Sequence, residues 1–397
     1  MPVVVTVSIK ISVNKKQCHS NQLKWLLIII ALLNAELLSA QTYYLFIGSY
    51  NLSKEKEGIY VYSFDTVNGH LKMRGSTHGI ANPSYLTISP NGRYVYACTE
   101  TKTKNAGSVS SFEFDSKAGT LSFINSQKSG GENPVALTVH KSGKWLVNAN
   151  YTEGSVSVFP LNTNGSISLA CQVIPFSEGS FNQERQERSH IHFAAFSPKQ
   201  DYLFLPDLGA DKIRSFSFDP SKPQPLVLPE HPAIITVPGS GPRHFTFHPN
   251  GRFAYCIEEM GGACTVYAYK DGRLDSIQRI AAHRKKSKGD FESADIHISP
   301  DGRFLYASNR GDENNLAIFS INEQSGLLQL VGYQSTLGEC PRNFVIDPTG
   351  KFLLVANQVS GNVVVFKRDM ETGLLIKTGV QIKVFNPSCL QIRSYND

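Results

Sequence analysis

The sequence predicts an all-β chain folded as a seven-bladed β-propeller, with four antiparallel strands per blade. Three observations predict it. One strand pattern recurs seven times at a period of about 51 residues, and each copy divides into four segments separated by turn residues. The chain also opens on one part of the pattern and finishes on another, so strands from its two ends complete a single blade and close the ring.

The first segment of each copy enters after a small residue or proline. It reads Asn82-Pro83-Ser84-Tyr85, Asn133-Pro134-Val135-Ala136, Gly241-Pro242-Arg243-His244, Cys340-Pro341-Arg342-Asn343 and Asn386-Pro387-Ser388-Cys389. Ile191-His192-Phe193 and Ser293-Ala294-Asp295 keep the register without the proline. Proline at the first residue of a strand forfeits no ladder hydrogen bond. A turn and a second strand follow, as in Ser89-Pro90-Asn91-Gly92-Arg93-Tyr94, His248-Pro249-Asn250-Gly251-Arg252-Phe253 and Ser299-Pro300-Asp301-Gly302-Arg303-Phe304. Asn-Gly and Asp-Gly supply the positive φ that a tight hairpin needs.

The third strand alternates apolar and polar residues, with copies starting at Ile59, Val109, Val156, Ile213, Cys264, Leu316 and Val363. The fourth follows a Gly-x-Leu or Gly-x-Ile turn, as at Gly69-His70-Leu71, Gly165-Ser166-Ile167 and Gly373-Leu374-Leu375; one unit has a proline-rich substitute near Pro225-Leu226. Tyr44-Leu45-Phe46-Ile47-Gly48 is a second-strand pattern and Pro387–Ile392 a first-strand pattern, which is the basis for expecting closure.

Residues 1–40 read as a signal peptide, leaving residues 41–397 as the propeller domain. Lys24 precedes the apolar run Trp25–Leu33, and Ser39-Ala40 precede Gln41 as a cleavage point. The run is too short to span a bilayer, which takes about 20 residues. An exported protein, periplasmic or extracellular, is therefore expected, with no membrane association once the leader is removed. The full chain carries a formal net charge of +6. The first 40 residues hold four lysines and one glutamate, so the remainder has 35 basic and 32 acidic residues with no basic run to track a phosphate backbone. Nucleic acid is not an expected partner. The cysteines beyond the leader are dispersed singly, and neither CxxC nor HExxH spacing occurs, so no metal site and no cofactor are expected.

Repeated positions share one place in a propeller, so their variation points to function. The position after the first-strand proline reads Ser84, Val135, His192, Arg243, Ala294, Arg342, Ser388. The end of the second strand reads Tyr50, Glu100, Tyr151, Leu208, Glu259, Arg310, Gln358. Adjacent antiparallel strands run opposite ways, so both sets belong at one mouth of the central channel. His192, Arg243, Glu259, Arg310 and Arg342 meet there. Arginine forks match a carboxylate or phosphate, His192 or Glu259 can activate water, and an arginine can hold an oxyanion. The candidate catalytic set is His192, Glu259, Arg243 and Arg310. Arg342, Gln358, Glu100 and Tyr151 are candidate substrate contacts. Asp295 and His297 lie on the opposite face of their strand, which predicts a hydrogen-bonded pair buried between blades; Asp295 is also kept as a candidate substrate contact.

Gly241-Pro242-Arg243-His244-Phe245-Thr246-Phe247-His248-Pro249, Ala294–Arg303 and Cys340-Pro341-Arg342 resemble the 6-phosphogluconolactonase family of seven-bladed propellers, over essentially residues 43–392. The fungal carboxy-muconate lactonizing enzymes are similar to that family. The resemblance implies a channel-mouth site in which His192, Arg243, Glu259 and Arg310 match the catalytic and anion-binding set. It implies hydrolysis of an anionic sugar lactone, 6-phosphoglucono-1,5-lactone or a relative. A monomer is expected. Two other functions remain open from sequence: a secreted propeller that binds an anionic ligand or protein partner without turnover, and a muconate-type cycloisomerase.

Overall fold

Seven separate antiparallel sheets account for the strands of the computed structural model. The described residues are 41–101, 103–229, 233–284 and 291–396. The expected leader, residues 1–40, lies outside them. No described residue is helical.

The sheets are numbered here as blades 1–7 by their innermost strands: Leu86–Ile88, Pro134–Val139, Ala195–Phe196, Pro242–Phe247, Ser293–Ile298, Pro341–Ile346 and Pro387–Asn396. Six blades have four strands in simple up-and-down order. Blade 3 has five, because its outer edge is split into Leu226–Val227 and Ala233–Ile235, both paired with Lys212–Phe218. That split falls at the proline-rich substitute. In blade 2 the fourth strand starts at Gln172, later than the Gly165 turn suggests; Ile167 makes only an isolated bridge with Leu161. Blade 7 is the composite one, in which Pro387–Asn396 lies beside Gln41–Ser49.

Each blade buries its middle strands on both faces. Phe304–Asn309 and Phe352–Asn357 are buried throughout. Their apolar side chains form clusters that bridge neighbouring blades: Tyr255, Ile257 and Val266 of blade 4 pack with Leu305, Ala307 and Phe319 of blade 5. Burial of this kind, roughly 25 cal/mol per Å² of apolar surface, is what holds blade to blade. The tight turns are as the sequence requires, with φ of 77° at Gly92, 70° at Gly251 and 72° at Gly302.

Two backbone devices shape the channel mouth. The amide of every second-strand end residue donates to the carbonyl two residues before the channel-lining position: Glu100 to Asn82, Tyr151 to Asn133, Glu259 to Gly241, Arg310 to Glu292, Gln358 to Cys340, Leu208 to His190 and Tyr50 to Asn386. The seven-fold repetition of this bond pins the two sets of mouth residues together. The second device is a bulge at the start of the inner strand. Pairing skips Val135 in blade 2, Arg243 in blade 4, Arg342 in blade 6, and Ala294-Asp295 in blade 5. A bulge re-aims side chains and breaks strict alternation, so two successive residues can face the channel.

Candidate active site

Ser84, Val135, His192, Arg243, Arg342 and Ser388 line one cavity on the channel, as their repeat phase predicts; His244 and Asn343 join them beside the bulges, and Tyr85 joins them from just before the Leu86–Ile88 strand. The free volume is ≈ 10 Å³, room for about one water molecule. The ring of His192 is buried, and its Nδ1 has no hydrogen-bond partner. Burial, reinforced by the charges of Arg243, His244 and Arg342, pushes its pKa well below the ordinary 6.5, so it is neutral at neutral pH. Tyr151 packs edge-on to His192, with ring centroids 5.5 Å apart, and stacks on His190 at 4.4 Å.

Glu259 gathers three guanidiniums. Its Oε2 accepts from Arg243 Nε at 2.8 Å and pairs with Arg310 Nη2 at 3.1 Å, while its Oε1 accepts from Arg185 Nη2 at 2.6 Å. Burial alone would raise this carboxyl, but Arg310, Arg243 and Arg185 outweigh it and hold the pKa at about 2. Arg243 is 1% exposed, and burial pulls it down to about 10 even with Glu259 beside it. Its Nη1 donates to the Ala294 carbonyl at 2.5 Å and to His244 Nε2 at 3.1 Å. Arg310 adds hydrogen bonds to the carbonyls of Glu292 and Ser293.

Behind Arg243, His244 Nδ1 donates to Asp295 Oδ1 at 2.7 Å, which leaves Nε2 as the acceptor facing the guanidinium. Asp295 is 2% exposed and receives four further donors: His297 Nε2, Asn343 Nδ2 and the amides of Ile296 and Phe344. This corrects the expectation of Asp295 as a substrate contact. The chain's own groups saturate its carboxylate, and its place is to fix the His244 tautomer and so orient Arg243. The pairing with His297 is present, at 2.9 Å.

The second sector of the mouth is built from blades 6, 7 and 1. Arg342 Nη2 lies 3.7 Å from Glu100 Oε2, and its guanidinium sits over the Tyr50 ring at 5.2 Å. The Tyr50 hydroxyl donates to Glu100 at 2.5 Å. Gln358 is half-buried at the same rim, where its Oε1 accepts from Cys340 Sγ at 3.8 Å.

Two features were missed by phase reasoning. His244 and Asn343 are out of phase in an ideal strand and reach the cavity because of the bulges, and Tyr85 reaches it from outside the paired strand of its blade. Arg185 comes from the non-repeating segment 176–190, which is tied down by Ser180 to Asp211, Gln186 to the Leu208 carbonyl and the His190 amide to Asp207. The longer interval between Val135 and His192 than between His192 and Arg243 was the available signal. A larger hollow, ≈ 540 Å³, lies beside this strap and is lined by Val173, Phe176, Glu153, Glu187 and Arg188. Glu153, Glu187 and Arg188 are exposed, so it lacks the buried, converging polar groups of the mouth.

The chain is similar to known proteins over most of its length. The family model described as Lactonase, 7-bladed beta-propeller, matches residues 44–392. The chain is 44% identical over 353 residues to a 6-phosphogluconolactonase of Formosa agariphila, covering 89% of this chain and 100% of that protein. It is 34% identical to a 6-phosphogluconolactonase of Bacillus subtilis, covering 87% and 97%. The solved structure of a periplasmic gluconolactonase from Pseudomonas aeruginosa superposes with a TM-score of 0.83 at 36% identity, covering 88% and 99%.

Proposed function

This chain belongs to the seven-bladed β-propeller lactonase family, and from that premise we propose that it hydrolyses a sugar lactone, with 6-phosphoglucono-1,5-lactone as the substrate. The observation that carries this reading is the meeting, on one cavity the size of a water, of a neutral imidazole with an unpartnered nitrogen and a fixed, buried guanidinium.

His192 is assigned as the general base. Glu259 is the poorer choice because both its oxygens are held by arginines and its pKa sits at about 2. Water attacks the lactone carbonyl and passes its proton to His192. The carbonyl electrons move onto oxygen, where Arg243 and Arg310 stabilise the oxyanion. The tetrahedral intermediate then collapses, the bond from carbonyl carbon to ring oxygen breaks, and the ring oxygen takes the proton from His192 to become a hydroxyl. The carboxylic acid formed ionises and releases one proton. Glu259 acts as a positioning residue that holds the arginines at fixed angles. Their charge is spent in place, without reorganisation during the reaction.

We place the mature enzyme outside the cytoplasm, on the strength of the Lys24–Ala40 pattern and of a relative described as periplasmic. Every group at the mouth comes from one chain, so a monomer suffices. Acid release at constant pH from phosphorylated and unphosphorylated gluconolactone, above the spontaneous rate, tests the reaction. Full activity in His192→Ala would overturn the assignment of the base. Cell fractionation, with a mature N-terminus near Gln41, tests the export.

A further inference from the structure

The four arginines of the mouth differ in how their donors are spent. Arg243 bonds Glu259, His244 and the Ala294 carbonyl. Arg310 is held by Glu259 and the carbonyls of Glu292 and Ser293. Arg185 bonds Glu259. Arg342 alone has no hydrogen bond to any described residue. Its one salt-bridge partner among the described residues, Glu100, stands 3.7 Å away, outside hydrogen-bonding range, and the Tyr50 hydroxyl already occupies that carboxylate. Its side chain is only 18% exposed, so water does not make up the deficit freely. A guanidinium carries five N–H donors, and leaving them largely buried without acceptors is costly.

We propose that Arg342 is the specificity determinant that receives the anionic tail of the substrate, a phosphate monoester, while Arg243 and Arg310 remain committed to the reacting carbonyl. This rests on the lactonase reading above and refines it. The geometry fits. Arg342 and His192 come from blades 6 and 3 and line the same narrow cavity, so a carbonyl directed at His192 and an anionic tail directed at Arg342 are received by different blades of one mouth. The charge also fits. Four guanidiniums (Arg185, Arg243, Arg310, Arg342) face two carboxylates (Glu100, Glu259), an excess of two positive charges that a phosphate dianion neutralises. Tyr50 supports the Arg342 fork through its ring face, and Glu100 sets a ceiling on affinity, since it stays close enough to compete for the same charge.

The test compares the wild type with Arg342→Gln, Glu100→Gln and Arg185→Gln on 6-phosphoglucono-1,5-lactone and on glucono-1,5-lactone. Arg342→Gln is expected to lower kcat/KM for the phosphorylated lactone about 10- to 100-fold, chiefly through KM, the range of a charge-assisted hydrogen-bonded pair. Its effect on the unphosphorylated lactone is expected to stay within about threefold. Glu100→Gln is expected to improve the phosphorylated substrate by a few fold. Arg185→Gln, the control at the more exposed guanidinium bound to Glu259, should not change the preference. Equal losses on both lactones in Arg342→Gln, or no loss on either, would overturn the proposal while leaving the lactonase reading intact. If the wild type opens neither lactone, the lactonase reading falls, and inorganic phosphate still tests the site: a phosphate-dependent rise in Tm must be present in the wild type and absent in Arg342→Gln.

Discussion

The two sectors of the channel mouth use the same residue types to opposite ends. In the sector of blades 3–5, one carboxylate, Glu259, holds three guanidiniums at 2.6–3.1 Å. In the sector of blades 6, 7 and 1, one guanidinium, Arg342, is left 3.7 Å from a carboxylate that a tyrosine occupies. The first arrangement is closed and rigid; its cations are oriented and most of their donors are committed. The second is open, with donors held in reserve. A rigid cluster suits the place where charge develops during a reaction, since preorganised dipoles need no further adjustment. A cluster with spare donors suits the place where a charged group arrives and leaves.

The largest expected effect lies where the rigid sector meets the cavity. His192→Ala is expected to lower kcat by about 10²–10⁴-fold, the usual contribution of a general base, with a modest fall in Tm from the lost packing of a buried ring on Tyr151; steady-state kinetics at a temperature below both melting transitions, with a melting curve, separate the two. Arg243→Lys should cost about 10²–10³-fold, because an ammonium cannot reproduce bonds to Glu259, His244 and Ala294 at once. Glu259→Gln tests rigidity itself. It strands buried guanidiniums without a counter-charge, and about 3–5 kcal/mol of stability should be lost in denaturant titration. If that variant unfolds at the wild-type midpoint, the closed sector is not held together as described.

Acid should weaken the rigid sector before the open one. His244 falls from an ordinary 6.5 to about 4 on burial, with Arg243 adding to the shift, so the unfolded chain binds protons the folded one refuses. Stability is then full above pH 6.5 and declines as the pH falls towards 4. Glu259, lowered from 4.5 to about 2, extends the loss through that lower window. Denaturation midpoints at pH 7, 5 and 4 should fall in that order. The smallest effect belongs to the open sector: Tyr50→Phe removes only a hydrogen bond to Glu100 and should shift stability by about 1 kcal/mol or less.

The fold was legible because propeller symmetry is written into turn chemistry. Asn-Gly and Asp-Gly hairpins and the proline at each inner strand fix where strands start, and the starts of the third strands read from sequence agree with the observed ones to within a residue. The mouth was legible from phase, since the same register brought Ser84, Val135, His192, Arg243, Arg342 and Ser388 to one cavity. Alternation failed where the backbone departs from an ideal strand. The bulge at Arg243 turns both it and His244 inward, and no residue type announces that bulge. Arg185 was hidden for a different reason: it lies in the one long segment that the repeat does not contain, where periodicity has nothing to say. Asp295 was placed correctly as a partner of His297, but its larger commitment, to His244 and Asn343 in the neighbouring blades, depends on contacts that a strand pattern does not encode.

The composite blade ties the site to the order in which the chain is made. Ser388 lines the cavity, and its hydroxyl bonds the carbonyls of Gly48 and Ser84, partners some 300 residues earlier in sequence. Contacts of such separation form late, because the loop they close is long. Until Pro387–Asn396 has left the ribosome, blades 7 and 1 present an unlatched seam, with strand edges open and the cavity missing a wall. The cavity therefore stays incomplete until the last strand has paired with the first.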